Sequence, residues 1–221
     1  SIKKHTKDIT IPSEEDRLQM HTLDYEEFRW TLGDTATIPL LEKFWEKKAP
    51  LGAAHRNIAR DFRLYMLVGG MPQAVNEYLD TNNMQKVDEV KRKIIRLYED
   101  DFLKIDPSGR ASKIFMSIPS ALSRNANRYV PFSVLGKVEE DKLTEILKSV
   151  EDSKTVNFAF HADDPNVGMP LNSNFDKFKL FIADIGLFIT LAFWDKDYTE
   201  NIIYEKLLNN KLSANLGYVY E

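Results

Sequence analysis

Gly69-Gly70-Met71-Pro72 constrains this chain more than any other stretch, because it forbids one continuous helix where the residues on both sides ask for helix. Two glycines allow positive φ and close backbone approach, and a proline cannot continue a preceding helix but fits the first position of a new one. The spacing predicts helices over residues 53–67 and 72–80, with the four-residue break between them. Two interpretations follow from these residues. The break is either a tight helix-to-helix turn with Pro72 opening the second helix, or a ligand-facing turn whose bare main chain a small molecule can approach.

The same periodic pattern runs on. Residues 83–104 read as a long helix with Val87, Val90, Ile94, Ile95, Leu97 and Tyr98 on its buried side. Asp106-Pro107-Ser108-Gly109 ends it, and helical spacing resumes from Ser112 to Leu122. A short helix and turn over 131–138 and an amphipathic helix over 140–150 follow. Thr155–Phe160 alternates in the manner of a strand, 163–168 is a loop, and Lys177–Ile182 is a second strand. Helix, short helix, helix, strand, loop and strand is the order of a winged helix. A further helix is expected over 184–194 against that module, and another over 201–212. Residues 1–49 are poorly periodic, although Asp24 is placed to cap a helix whose first turn carries Glu26 and Glu27.

The 221 residues are 43% hydrophobic and 29% charged, enough apolar sequence to bury a core. A formal net charge of −4 gives no overall pull toward nucleic acid or anionic lipid. The absence of cysteine removes disulfides and thiolate chemistry, in keeping with a reducing compartment, and four scattered histidines make no metal pair. No stretch approaches the length of a membrane span, and the opening Ser1-Ile2-Lys3-Lys4 is neither a signal peptide nor a retained initiator methionine, so a fragment is expected.

Five motifs in order carry a resemblance. They are Leu23-Asp24-Tyr25-Glu26-Glu27-Phe28, Tyr65 to Val75 around the Gly-Gly turn, Tyr98-Glu99-Asp100-Asp101-Phe102, Ile118-Pro119-Ser120-Ala121-Leu122, and Phe178 to Leu187. Together they resemble archaeal and bacterial AAA-type ATPases related to the STAND nucleotide hydrolases, which carry a winged-helix region and a restriction-endonuclease-like C-terminal domain. The chain lacks the Gly-x-x-x-x-Gly-Lys-Ser/Thr loop that would cradle phosphates. The resemblance therefore implies a mainly α chain, a helical lid bundle plus a winged helix with a small β-wing. Residues 1–49 would be the end of the ATPase core, 50–105 the lid, 106–195 the winged helix, and 196–221 the start of a truncated C-terminal domain.

On this resemblance the parent protein binds ATP in the cytoplasm, while this chain alone neither binds it tightly nor hydrolyses it. Gly69, Gly70 and Pro72 would face the nucleotide base. The expected partners are the missing core and C-terminal domain of the same protein, with a further protein partner also open. Arg56, Arg60 and Arg63 share one helix face, where an arginine could sense a terminal phosphate or could simply form a solvated surface beside Asp61. No catalytic or metal-binding residue is expected: adjacent Glu99, Asp100 and Asp101 cannot share a site, Asp101 can pair with Lys104, and Asp184 is placed to cap the helix after it.

DNA binding is the rival from another class. From Pro107 to Val138 there are five cations, Arg110, Lys113, Arg124, Arg128 and Lys137, and no acid. The helix that should enter a groove argues against it, because Glu139–Lys154 holds six acids against three lysines. A protein-interaction scaffold is the third alternative.

Overall fold

The computed structural model describes residues 20–124, 128–161, 177–196 and 204–206. It is mainly helical, with one small antiparallel sheet. Its described residues form two compact units, Met20–Lys93 with the segment from Asp184, and Ile94–Ala183. The division falls inside a helix and directly after a strand.

In the first unit, α1 (Tyr25–Thr31) starts where Asp24 and Glu27 form a capping box: the Glu27 amide donates to Asp24 Oδ1 at 2.8 Å and the Asp24 amide to Glu27 Oε2 at 3.0 Å. Helix α2 (Thr37–Glu46) lies in the stretch that the sequence pattern left poorly periodic, and it buries none of its residues. Its start is held by Asp34, which accepts from the amides of Ala36 and Thr37 and from the Thr37 hydroxyl. Helices α3 (Ala54–Val68) and α4 (Pro72–Thr81) flank the Gly-Gly turn, with Pro72 at the first helical position, and α5 (Met84–Ile105) follows. Phe28, Val68, Ala74, Val75 and Val87 form the core, with Leu23, Leu64, Tyr65 and Tyr78 packed on it.

In the second unit, the C-terminal part of α5 is followed by α6 (Arg110–Ser123), α7 (Phe132–Leu135) and α8 (Glu140–Asp152). Strands β1 (Val156–Phe160) and β2 (Phe178–Ile182) pair antiparallel, with Val156 opposite Ile182 and Phe160 opposite Phe178. This is the element order of the expected winged helix. Leu143, Ile146, Leu147 and Val150 give α8 a buried stripe at helical spacing, and α6 contributes Ile114, Phe115 and Ile118. Tyr129 ties α6 to the sheet: its amide donates to the Phe178 carbonyl at 2.7 Å and its hydroxyl lies 2.6 Å from that of Ser117.

Two expectations need correction. Leu97 does not belong to the buried side of α5; it is 59% exposed, because the buried stripe runs Val87, Lys91, Ile94, Ile95 and Phe102, and residue 97 falls off it. Helix α9 (Ile185–Ala192), expected against the winged-helix elements, packs on α3 within the first unit. Gly186 and Gly69 allow that packing by bringing two backbones together without side chains between them. The expected helix over 201–212 lies largely outside the described residues, as does the loop at 163–168; Tyr204–Lys206 are helical.

Candidate functional site

The Gly-Gly turn is the best-defined polar junction in the first unit. Helix α3 ends at Gly69, whose φ of 82° and ψ of −176° lie in a region open essentially only to glycine. The Gly69 amide donates to the Tyr65 carbonyl at 2.7 Å. Gly70 then uses both of its main-chain groups inside the protein: its amide donates to Asp184 Oδ2 at 2.7 Å, and its carbonyl accepts from the Leu23 amide at 2.8 Å. The Tyr65 hydroxyl donates to the Leu23 carbonyl at 2.9 Å, so the segment before α1 is held against the turn at two points. A Cβ on Gly70 would sit 1.9 Å from the Leu23 oxygen, and one on Gly69 2.5 Å from Asp184 Oδ1.

The expectation that Gly69 and Gly70 bare their main chain to a nucleotide base therefore does not describe this conformation. Both are buried, and the space a ligand would need is filled by Leu23, Asp184 and Gly186. Pro72, the third residue of the expected site, is exposed.

Asp184 caps α9 as expected, with Oδ1 accepting from the Leu187 amide at 2.8 Å, but its other oxygen holds Gly70. The carboxyl is 3% exposed. Burial pushes its pKa up, against the lowering pull of the Leu187, Gly70 and Gly186 amides and the Lys91 charge.

Lys91 is the residue that sequence reasoning missed. It lies on the apolar stripe of α5 and is fully buried, and its Nζ donates to the Leu67 carbonyl at 2.6 Å and toward the Gly186 carbonyl and Tyr204 hydroxyl at 3.4 Å each. It thus satisfies a free carbonyl in the last turn of α3, directly before the Gly-Gly turn. Burial pulls its pKa down to about 8, with Asp88 and Asp184 resisting. Asp88, also buried, accepts from the Tyr204 and Thr190 hydroxyls and from Arg92 Nε at 2.7 Å. Arg92 continues the network to the Trp194 carbonyl at 2.9 Å and the Lys196 carbonyl at 2.6 Å, with its guanidinium 5.1 Å from the Trp194 ring centroid. The signal was available: Lys91 is four residues after Val87 and three before Ile94, a cation in an apolar row.

The three arginines of α3 differ. Arg56 and Arg60 are exposed, whereas Arg63 is half-buried with Nε enclosed. Asp61, expected as their neighbour in charge, instead takes Arg29 Nη1 at 2.9 Å, and Arg29 also pairs with Asp34. Arg60 borders a cavity of about 360 Å³ with Asp61, Leu64, Tyr78, Asn82 and Met84.

On the second unit, Lys113, Arg124 and Arg128 are exposed, and Arg128 lies with Lys179 beside Tyr129 and Leu180. Arg110 is half-buried with Nη1 enclosed, which removes it from a phosphate-facing surface. Helix α8 exposes Glu140, Asp141, Glu145 and Asp152, so the acid excess in its sequence is an acid excess on its surface. Asp101 pairs with Lys104 at 2.8 Å, as expected. Among the described residues no helix is long and apolar enough to cross a membrane, and no group of acids and histidines is placed to hold a metal ion.

Residues 59–198, more than half of the chain, match the family described as Domain of unknown function (DUF8612). The chain belongs to that family. The matched span begins in α3 and includes the Gly-Gly turn, Lys91, the elements from α6 to β2 and Asp184. No curated protein and no solved structure matches the chain.

Proposed function

We propose that this chain is the lid and winged-helix segment of an ATP-binding AAA-type ATPase, in which nucleotide state is coupled to a partner or to a C-terminal domain. The observation that carries the proposal is the bond from Gly70 to Asp184. One carboxylate fixes the turn between α3 and α4 and also the start of α9, and it follows strand β2 by a single intervening residue, Ala183. A shift of the turn must therefore move Asp184 with it or break the bond. The order of the five motifs and the element order of residues 110–182 support the same reading.

Gly69 and Gly70 then act as the fixed corner of the lid, and ATP is met by the exposed side of the same helices, at Pro72, Arg56 and Arg60. Without a phosphate loop, this chain alone is not expected to hydrolyse ATP or to hold it tightly, and its partners are the core and C-terminal domain of its own polypeptide. The cysteine-free sequence suits a cytoplasmic protein. Titration calorimetry with ATP on the complete natural protein carrying this segment is the test. Binding weakened about tenfold or more by Arg60→Ala is expected, the loss of a charge-assisted bond to phosphate. A complete protein that does not bind ATP refutes the proposal.

The exposed Arg124 and Arg128 favour one second reading, contact with DNA backbone at the C-terminal end of α6 rather than through α8, with exposed Lys113 in the first turn of that helix. Anisotropy of a labelled duplex at low salt separates the two: tight, salt-sensitive binding would favour DNA.

A further inference from the structure

Helix α2 presents an apolar face that none of the described residues buries. None of its ten residues is buried, Trp45 is 85% exposed and Leu40 39% exposed. Leu41, Phe44, Trp45, Ala49 and Leu51 line an open groove of about 1020 Å³, with Glu42, Glu46 and Lys48 at its edges. Lys48 has a φ of 49°, and Ala49 and Leu51, which follow it, line the groove together with the helix. An indole that protrudes beside an apolar cleft on the same surface is self-complementary, the requirement for contact between identical copies around a two-fold axis.

We propose that this face is the interface between two copies of the chain, with Trp45 of each seated in the groove of the other. The charges at the rim fit that occupant. When two copies pair antiparallel about Trp45, Glu42, three residues before it, meets Lys48 of the second copy, three residues after it, and Leu41 meets Ala49. Among the described residues neither Glu42 nor Lys48 is engaged in an ion pair within its own chain, so both are available to the second copy. The contact is built on one short helix and its turn, which places it among small, weak interfaces. It is independent of whether the protein binds ATP.

Sedimentation equilibrium of the 221-residue chain from roughly 1 µM to 1 mM, the range of weak association, tests it. A concentration-dependent dimer is expected, weakened about thirtyfold or more by Trp45→Glu, which removes the central aromatic anchor. Because Trp45 is exposed, that variant keeps its fold, which its circular dichroism checks. Glu42→Lys and Lys48→Glu should each weaken the dimer by placing like charges across the axis, and the two together should restore it. A chain that stays monomeric throughout has this face covered by some other partner, and overturns the proposal. So does a dimer indifferent to Trp45→Glu, or a double charge exchange that fails to restore association.

Discussion

Replacing Gly70 with alanine adds one methyl group at the point where the structure has least room for it. That carbon would lie 1.9 Å from the Leu23 oxygen and 2.8 Å from the Leu23 nitrogen, so the segment before α1 must retreat by about 1.5 Å to reach ordinary contact. Such overpacking costs about 2 kcal/mol. The retreat also stretches two bonds at Leu23, its amide to the Gly70 carbonyl and its carbonyl from the Tyr65 hydroxyl, worth about 1 kcal/mol each. Alanine returns roughly 0.7 kcal/mol by restricting the unfolded chain. The net expectation is a loss of about 3 kcal/mol, a large part of a stability of about 5–15 kcal/mol. Urea unfolding followed by tryptophan fluorescence is the appropriate assay, because Trp30, Trp45 and Trp194 all belong to the unit that holds the turn. Gly33→Ala is the control: its φ is 78°, but nothing lies within 4 Å of the added carbon, so it should cost no more than about 1 kcal/mol. If Gly70→Ala costs no more than Gly33→Ala at an unchanged urea slope, the turn is not closed by Leu23 and the reasoning fails.

Lys91 predicts an unusual pH dependence. Its folded pKa of about 8 lies below the model-peptide value of 10.5, so above pH 8 the unfolded chain binds more protons than the native one and stability rises with pH. Urea midpoints at pH 7.5 and 9.5 should show a gain of roughly 2 kcal/mol that Lys91→Met abolishes; beyond about pH 10 half-buried Tyr65 and buried Tyr204, whose pKa values are raised, reverse the trend. Asp184→Asn keeps the shape of the carboxylate but leaves one oxygen for both the Gly70 and Leu187 amides and deprives buried Lys91 of a counter-charge, so about 3 kcal/mol should be lost in the same urea assay. Tyr204→Phe removes one of the three donors to Asp88 and should cost about 1–2 kcal/mol, read as a lower melting temperature.

The helices of this chain were legible because their signals are local. Asp24 three residues before Glu27, Pro72 after two glycines, and the 143-146-147-150 stripe each state an element within one or two turns, and each is present. Helix α2 was missed for the same reason. Among the described residues nothing buries its apolar positions, and Pro39 sits within its first turn, where a helix tolerates proline.

The turn shows why the site was harder to read than the fold. Gly69-Gly70-Met71-Pro72 states that a backbone comes close to something, but not to what. The neighbours are Leu23, 47 residues earlier, and Asp184, 114 residues later, and no periodicity relates positions so far apart. A glycine that lets a ligand approach and one that lets the protein's own chain approach leave the same mark in sequence. They differ only in whether the amide and carbonyl are already spent, and at Gly70 both are. The functional weight of the motif therefore moves from the glycines to the residue that holds them, Asp184, together with Lys91, which holds the helix end before them. Both are buried ionisable groups, and each meets the requirement for burial through its partners: Asp184 takes the Gly70 and Leu187 amides, and Lys91 gives to the Leu67 carbonyl.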